Sequence, residues 1–399
     1  MKKPLLLSAL LLSTAAGAAS APECAPDNGG IQLPDGFCAV VVADDLGRAR
    51  HLTVRDNGDL FVALRETKNG GGIVALRDSD GDGRADVERR FADQGGTGIR
   101  LRNGFLYFGT PAAILRYPLA AHALEPSGPP QTVAEGFPEQ RQHSTKSFAF
   151  DGADGLYVNV GAPSNACQQQ TRTPGSPGQD PCPQLIRQAG VWRFAADATG
   201  QTQTGDGRRY ATGIRNAVAI AWNPQAGALF VVQHGRDQLH ELWPQRFTVE
   251  QNAELPAEEL LRVGENTDGG WPYCYHDGRQ NKKVLAPEYG GDGDEVGRCA
   301  DALHPLLAFP AHWAPNDLLF YRGGQFPERY RHGAFIAFHG SWNRAPLEQQ
   351  GYNVVFAPFK DGQPAGDWEV FAQGFAGGKV IEDSDDARFR PTGLAQGPD

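Results

Sequence analysis

The sequence lacks the features that mark several large classes of protein. After its first residues it contains no apolar run long enough to cross a bilayer, which excludes a later membrane span. The formal net charge is −10, which argues against an extended nucleic-acid surface. The six cysteines show no Cys-x-x-Cys spacing and the histidines no His-x-x-x-His spacing, so a zinc site is not expected.

The first residues are typical of a secretory signal. Lys2 and Lys3 supply positive charge, Leu5 to Leu12 form an apolar run, and small residues fill positions 15–21. The apolar run is too short to span a bilayer. We therefore predict that residues 1–21 are a signal peptide and that the mature protein is periplasmic or secreted.

The cysteines agree with export, because disulfides form and persist in oxidising compartments. They fall into three pairs that are close in sequence, namely Cys24 with Cys38, Cys167 with Cys182, and Cys274 with Cys299. We expect three local bridges, although the sequence alone leaves other pairings open.

A repeated two-strand pattern predicts an all-β fold. The chain has 50 glycines and 29 prolines, and apolar or aromatic runs alternate with turns that contain glycine. One copy joins residues 51–54 to residues 60–62 through Asn57 and Gly58, a hairpin signal. Further copies begin near residues 99, 147, 218, 317 and 390. Units of this size, repeated about six times, are typical of propeller blades, so we predict a six-bladed β-propeller.

The predicted ring spans residues 22–399 as one domain. The copy at Arg390–Ala395 is cut off before its later strands, so the last blade is expected to be truncated at the C-terminus. The apolar run Phe37–Ala43 is expected to complete that blade and close the ring. Long loops at 163–188 and 240–316 hold four of the six cysteines, and we expect them to wall a binding site.

Histidine and arginine residues lie at the predicted starts of three blades. His143 can act there as a general base near neutral pH, with a structural histidine as the alternative. Arg215 with Asn216, and Arg388 with Arg390, occupy the equivalent place in two other blades. Equivalent positions converge on one rim of the axial channel. The arginines indicate a ligand with several carboxylates or phosphates, whereas salt bridges between blades are the alternative.

Six segments, in order along the chain, carry a resemblance to the PQQ-dependent glucose/sorbosone dehydrogenases. They are His143–Phe148, Gly213–Asn216, Gln233–Arg236, Gly269–Pro272, His339–Arg344 and Arg388–Arg390. The first resembles the family's catalytic-histidine strand, the second its G-x-R-N motif and the last its late R-x-R motif. The fifth, followed by Gly351 and Tyr352, looks like the sorbosone-dehydrogenase branch. Each motif is weak alone, but the ordered set is specific and covers most of the mature chain.

The resemblance implies an enzyme that oxidises an aldose or a sorbosone-type aldehyde with PQQ and Ca²⁺ bound at the channel mouth. It implies that His143 takes the proton from the substrate hydroxyl while hydride passes from that carbon to the quinone. Arg215, with Asn216 helping to position it, would stabilise negative charge on the quinone oxygen, and Ca²⁺ would polarise the same carbonyl. The electrons would then pass to an external acceptor, a small cytochrome or a membrane quinone.

The resemblance also implies contacts to the cofactor. The candidates are Arg388 and Arg390 for its carboxylates, Arg344 and Lys146 for the same role with less support, His234, and Trp342. The case for Trp342 comes from its surroundings: Gly340 and Asn343 indicate a loop, where the ring would stack on the flat cofactor or on a sugar, with packing in a blade core as the alternative.

Two places are candidates for a metal ion. The resemblance implies that backbone carbonyls of Gly235 and Arg236 bind Ca²⁺, although position 236 is arginine where the family usually has proline. Separately, Asp78, Asp80 and Asp82 match the first half of a calcium loop. The twelfth position of that loop is arginine instead of the usual glutamate, so a solvated acidic hairpin is the alternative reading.

Two other functions fit a propeller. A metal-dependent lactonase or hydrolase needs Glu, Asp and Asn side chains around a channel metal, whereas the blade starts here carry His and Arg. A non-catalytic propeller that binds carbohydrate or protein would have kept the fold and lost the cofactor.

Overall fold

The computed structural model of the protein describes residues 22–378 and 380–398. The signal peptide predicted for residues 1–21 lies outside the described residues. The three expected disulfides are confirmed, with Cys24 bonded to Cys38, Cys167 to Cys182, and Cys274 to Cys299. None of the described helices has the length and apolar character needed to cross a membrane.

The described chain is built almost entirely of strands. In chain order these are β1 (Ala49–Val54), β2 (Leu60–Lys68), β3 (Gly71–Arg77), β4 (Val87–Phe91), β5 (Ile99–Arg102), β6 (Phe105–Gly109), β7 (Ile114–Pro118), β8 (Gln131–Glu135), β9 (Phe148–Phe150), β10 (Gly155–Val160), β11 (Gly190–Ala195), β12 (Gln201–Thr202), β13 (Arg208–Thr212), β14 (Ala219–Asn223), β15 (Ala228–Gln233), β16 (Glu258–Val263), β17 (Thr267–Asp268), β18 (Cys274–Asp277), β19 (Lys282–Leu285), β20 (Leu307–Phe309), β21 (Pro315–Phe320), β22 (Gly333–His339), β23 (Tyr352–Lys360), β24 (Gln363–Pro364) and β25 (Glu369–Ala372). The two α-helices are α1 (Leu239–Leu242) and α2 (Val249–Glu254). Short 3₁₀ turns lie at Asn28–Gly30, Pro183–Ile186, Pro287–Tyr289, Gly297–Asp301, Glu328–Tyr330 and Ser384–Asp386.

The strands form five propeller blades. The first four sheets are β1 to β4; β5 to β8 with β12; β9, β10, β11, β13 and β17; and β14, β15, β16 and β20. The fifth contains β21, β22 and β23 with β24 and β25, and β18 with β19 forms a separate hairpin. Within each blade the first two strands are the predicted repeated hairpin, as in the pairing of Val54 with Leu60 and of Val158 with Phe148. The repeat therefore identified five hairpins correctly.

Apolar side chains of adjacent blades pack together. Phe61 of β2 and Phe108 of β6 lie in one cluster between the first two blades, and Phe230 of β15 and Ile336 of β22 lie in another between the last two. Each of these side chains is fully buried, and burial of one such side chain stabilises the fold by roughly 1.5–3 kcal/mol. Apolar packing between adjacent blades therefore stabilises the ring.

The prediction of six blades was wrong. Within the described residues, segments 37–43 and 390–398 form no strand, so neither completes a further sheet. Pro391 has no N–H to offer a partner strand. The N–H of Leu394 donates instead to the carboxylate of Asp317 at 2.9 Å, and the hydroxyl of Thr392 donates to the carbonyl of Ala49 at 3.3 Å. The apolar pattern resembled a blade, but the N–H of Leu394 bonds to a side chain and Thr392 contacts β1 only through its hydroxyl, so no strand ladder forms.

The predicted long loop at 240–316 also differs from the structure. It contains β16 and β20, which are the third and fourth strands of the fourth blade, together with α2 and the β18–β19 hairpin. The segment 163–188 is a loop apart from one 3₁₀ turn, and the bridge between Cys167 and Cys182 closes it. Both segments contribute residues to the large cavity described next.

Candidate functional site

A cavity of about 780 Å³ lies where the first strands of the blades begin. Every blade contributes a residue at or just before its first strand, namely Arg50, Thr97, His143, Asn216 and Asn316. Of the predicted site residues, the cavity lining includes His143, Arg215, Asn216, His234, Gly235, Trp342 and Arg390. Residues far apart in sequence therefore meet at one end of the channel, as the repeat predicted.

His143 lines the cavity, and its ring bonds to the described residues through one nitrogen only. Its backbone adopts φ 49°, and its Nδ1 lies 2.7 Å from the carbonyl oxygen of Ala162. Since a carbonyl only accepts, Nδ1 carries the proton and Nε2 keeps its lone pair. Burial, reinforced by the charge of Arg215, lowers the pKa of His143 to about 3, so the ring is neutral at neutral pH. This tautomer can accept a proton at Nε2.

Arg215 is held by a buried carboxylate. Its side chain is 3% exposed, and its Nη2 lies 3.0 Å from Asp237 Oδ2 and 3.0 Å from Asn165 Oδ1. Asp237 also accepts hydrogen bonds from Arg172 at 2.9 Å and from Asn343 at 2.7 Å. Although burial favours the neutral acid, the Arg215 and Arg172 guanidinium groups hold the pKa of Asp237 well below its usual range. The result is a hydrogen-bonded wall of the cavity that carries fixed charges.

Asn216 and His234 form a hydrogen-bonded chain along another wall. Asn159 donates to the side-chain oxygen of Asn216 at 3.1 Å, and Asn216 Nδ2 donates to His234 Nδ1 at 3.1 Å. His234 Nε2 lies 2.8 Å from the carbonyl of Pro315. Burial lowers the pKa of His234 to about 4, which matches a neutral ring with both nitrogens engaged. His234 is therefore a structural member of the site, and Asn216 is fixed in orientation.

A group of arginines gives the cavity a surplus of positive charge. Within the described chain, Arg50, Arg65, Arg141 and Arg390 line the cavity without forming an ion pair. The Nε of Arg50 is buried and has no hydrogen-bond partner there. Burial, together with the charges of Arg65 and Arg390, lowers the pKa of Arg50 to about 10, so it stays charged at neutral pH. A buried guanidinium nitrogen without an acceptor is suited to an anionic ligand.

Two acidic residues line the cavity, and neither offsets these arginines. Asp237 is already paired with Arg215 and Arg172. Burial raises the pKa of Glu258 to about 8, so this carboxyl is mostly neutral at pH 7. Its oxygens accept hydrogen bonds from the N–H of Gly235 at 2.8 Å and the N–H of Ala314 at 3.2 Å.

Several predicted cofactor residues lie outside the cavity lining. Arg388 is exposed, and its guanidinium stacks on Phe389. Arg344 is 3% exposed and forms an ion pair with Glu254 at 3.0 Å. Lys146 is fully buried, and its Nζ donates to the carbonyl of Ser144 at 2.8 Å. Their side chains are thus engaged elsewhere in the fold.

Sequence reasoning missed four residues of the site, namely Arg50, Asn165, Asp237 and Glu258. Arg50 had a usable signal, because it precedes the inner-strand segment of a blade as His143 and Arg215 do. Asp237 directly follows the loop motif at Gly235 and Arg236, and a buried arginine requires a carboxylate nearby. Asn165 and Glu258 carried no local signal, since each contacts residues distant in sequence.

The two candidate metal positions differ in character. The first position is the backbone of Gly235 and Arg236, of which Gly235 lines the cavity. No hydrogen-bond donor among the described residues reaches their carbonyl oxygens. In the turn between β3 and β4, one carboxylate oxygen from each of Asp78, Asp80 and Asp82 lies within 4.8 Å of the others. The carboxylate of Asp78 accepts from the N–H groups of Gly81 and Gly83, both at 2.7 Å, so it already stabilises the turn. That cluster lies outside the cavity lining.

We expect thermal stability to fall as the pH is lowered below about 6.5. Burial lowers the pKa of four histidines, His51 and His234 to about 4 and His143 and His339 to about 3. Their contribution is fully present above the unfolded value near 6.5 and decreases as pH falls, by about 1.4 kcal/mol per pH unit for each histidine. Burial also lowers the pKa of His276 and His312, whereas the raised pKa of Glu258 acts in the opposite direction.

Denaturation midpoints measured by calorimetry between pH 7.5 and 5 test this expectation. A variant His51→Asn should show a shallower decline, because it removes one of these buried rings. A midpoint that rises as the pH falls from 6.5 to 5 contradicts the prediction.

The chain is similar to proteins of one known family. The model of the TrAA12-like family matches residues 31–399. A pyrroloquinoline quinone-dependent pyranose dehydrogenase of Coprinopsis cinerea is 31% identical over 183 residues. That match covers 42% of this chain but only 23% of the relative, so the chain corresponds to a minor part of that protein.

Solved structures show the same fold. The holo form of the PQQ domain of Coprinopsis cinerea pyranose dehydrogenase has a TM-score of 0.72 at 21% identity, covering 95% of this chain and 93% of that one. A Trichoderma reesei member of carbohydrate-active enzyme family AA12 has a TM-score of 0.69 at 19% identity, covering 97% and 94%. Identities this low establish the shared architecture only.

Proposed function

Because the chain belongs to the TrAA12-like family, we propose that it is an exported PQQ-dependent oxidoreductase that oxidises a sugar. The substrate class is an aldose or a sorbosone-type aldehyde. One observation carries the proposal: in the described part of the chain, a neutral histidine whose Nε2 has no hydrogen-bond partner and arginines that form no ion pair line the same cavity. The relatives that bear the name pyranose dehydrogenase support it.

The cavity residues fit PQQ, which carries three carboxylates. Arg50 offers a buried, unpartnered Nε, and its neighbours Arg65 and Arg390 add positive charge. Arg390 is held in place by donating to the carbonyls of His339 at 2.9 Å and Gly340 at 2.7 Å. We therefore assign carboxylate binding to Arg50 and Arg390 rather than to Arg388. Trp342, 52% exposed at the cavity, is placed to stack on the cofactor or the sugar.

His143 acts as the general base of the proposed oxidation. When bound, PQQ supplies an electrophilic quinone that accepts hydride from the substrate carbon. Nε2 of His143 takes the proton of the hydroxyl on that carbon, so the substrate loses one hydride and one proton. The hydrogen bond from Nδ1 to Ala162 keeps the ring in the tautomer that can do this.

Arg215 supplies fixed positive charge for the oxygen on which negative charge develops. Its pairing with Asp237 and Asn165 fixes the guanidinium before the reaction, so little reorganisation is needed. Asn216 adds an oriented amide beside it, held by Asn159 and His234.

A Ca²⁺ ion at the cavity is part of the proposal. The carbonyl oxygens of Gly235 and Arg236 are the ligands that this chain would supply, and oxygen ligands suit Ca²⁺. The side chain of Arg236 lies outside the cavity lining and pairs with Glu288, and no donor among the described residues reaches its carbonyl oxygen. The ion would polarise a carbonyl as a Lewis acid.

The proposal includes a location and a partner. The disulfides favour an oxidising compartment, so we place the protein in the periplasm or outside the cell. Electrons would leave through an external acceptor, a small cytochrome or a quinone.

Titration with PQQ tests the proposed function. We expect the purified chain, with Ca²⁺ present, to bind one equivalent of PQQ, seen as a bound-quinone absorbance, and then to reduce a dye when aldoses are added. The variant Arg50→Met should bind PQQ about tenfold to a hundredfold more weakly, the loss typical of a charged hydrogen bond. Arg84→Met, which removes an exposed arginine of the β3–β4 turn, is the matched control and should bind like the unchanged protein.

Each alternative has its own outcome in the same experiment. Failure to bind PQQ, or dye reduction that does not depend on it, refutes the proposed function. Hydrolysis of a lactone with metal alone favours a lactonase instead. Tight sugar binding without turnover favours a binding propeller.

A further inference from the structure

The side chain of Gln140 makes several hydrogen bonds next to the loop that carries His143. Its side-chain Nε2 lies 2.8 Å from the carbonyl oxygen of Gln142, 2.9 Å from that of His143 and 3.0 Å from that of Gly161. Its Oε1 accepts a hydrogen bond from Gln188 Nε2 at 2.8 Å. An amide nitrogen has two hydrogens, so three carbonyls share them. One side chain therefore connects the loop that carries His143 with the end of β10 and with the segment before β11.

The backbone of His143 needs such support. Its φ of 49° lies in the left-handed region, which is unfavourable for a residue with a Cβ atom. Gly161 allows the loop to approach closely, because a Cβ at that position would lie 2.6 Å from the Cβ of His143. The ring itself bonds to Ala162. The ring of His143 thus bonds to Ala162, and its backbone lies close to Gly161. Gln140 adds hydrogen bonds to the carbonyl oxygens of both His143 and Gly161.

Gln188, which donates to Gln140, lies beside a buried part of the fold. Gln188 follows the loop closed by the Cys167–Cys182 bridge and directly precedes Ala189, which is fully buried before β11. The N–H of Ile214, one residue before Arg215, donates to the carbonyl of Ala189 at 3.0 Å. The segments that carry the base and the arginine are therefore linked through neighbouring residues.

We propose that Gln140 is a positioning residue for His143, one that holds the left-handed loop so that Nε2 faces the substrate. The inference rests on the proposed function, because it assigns Gln140 a part in the same oxidation. Gln140 does not itself touch the reacting atoms: it acts through the main chain of His143.

The variant Gln140→Glu tests the proposal with little change in shape. It replaces the donor by a carboxylate oxygen that faces three carbonyl oxygens. We expect kcat to fall about tenfold to a hundredfold, with KM for the sugar and the PQQ stoichiometry little changed. Freed from its buried position, His143 should titrate closer to an ordinary histidine, so the acid limb of the kcat/KM profile should move toward neutral pH. The variant Gln140→Met, which adds no charge, should move it in the same direction.

Gln201 provides a matched control. Its Nε2 lies 3.2 Å from the carbonyl oxygen of Val133, 2.9 Å from that of Ala195 and 3.4 Å from that of Ala198, and its Oε1 accepts from the N–H of Ala195. It lies in β12, and it does not line the cavity. Gln201→Glu should lower thermal stability and leave kcat per bound PQQ and the pH profile as they are.

A fourth variant keeps the inference testable if Gln140→Glu fails to fold. Gln188→Leu keeps the three carbonyl contacts of Gln140 and removes only its anchor, so a smaller shift in the same direction is expected. Variants of Gln140 and Gln188 that lower the denaturation midpoint but keep kcat and the acid limb overturn the inference. Absence of PQQ binding or turnover in the unchanged protein refutes the proposed function instead, so the two failures are distinguishable.

Discussion

Replacing His143 with asparagine is expected to lower kcat by about a hundredfold to ten-thousandfold, the range typical of a lost general base. The asparagine Nδ2 can still donate to the carbonyl of Ala162, so the loop should keep its conformation. Binding of PQQ should be retained, because the cavity arginines are untouched. The measurement is single-turnover dye reduction by the protein loaded with one equivalent of PQQ.

His240→Asn is the matched control for this prediction. His240 also places Nδ1 2.7 Å from a backbone carbonyl, that of Phe247, but it lies in α1 and outside the cavity lining. It should leave kcat unchanged. If His143→Asn retains more than a tenth of the original kcat, His143 is not the base.

Removal of Glu288 is expected to cause the largest loss of stability. The side chain of Glu288 is fully buried and pairs with Arg236, which is 3% exposed, and it also accepts from Trp243 Nε1 at 3.0 Å. Glu288→Leu leaves the guanidinium of Arg236 buried without a counter-charge. Such a loss costs about 3–5 kcal/mol, which we expect as a lower midpoint in chemical denaturation.

The double variant Arg236→Met with Glu288→Leu should recover much of this loss, since no unpaired charge remains. Asp154→Asn, which breaks an exposed pair with Arg193, should change stability by no more than about 1 kcal/mol. A double variant as unstable as Glu288→Leu alone would show that the two charges are not coupled. The pair explains how this loop accommodates arginine where the resembling family has proline.

The candidate site was partly predictable because blade repeats place equivalent positions together. His143 and Arg215 each precede the inner strand of a blade, and the structure brings them to one cavity. Arg388 has the same apparent place in sequence, yet its side chain is exposed on Phe389. Arg390, two residues later and also outside any strand, does line the cavity, because its guanidinium donates to the carbonyls of His339 and Gly340, which Arg388 does not contact.

By itself, the sequence determined the five hairpins and the residue types at the blade starts, and it indicated bridges between neighbouring cysteines while leaving other pairings open. These depend on alternation, turn residues and short separations, all of which are local. The tertiary structure alone decided the number of blades and the partners of buried charges, such as Asp237 for Arg215 and Glu288 for Arg236. The physical reason is that a buried charge is satisfied by whichever group the packing of the blades brings within hydrogen-bond distance, and no local pattern encodes that neighbour.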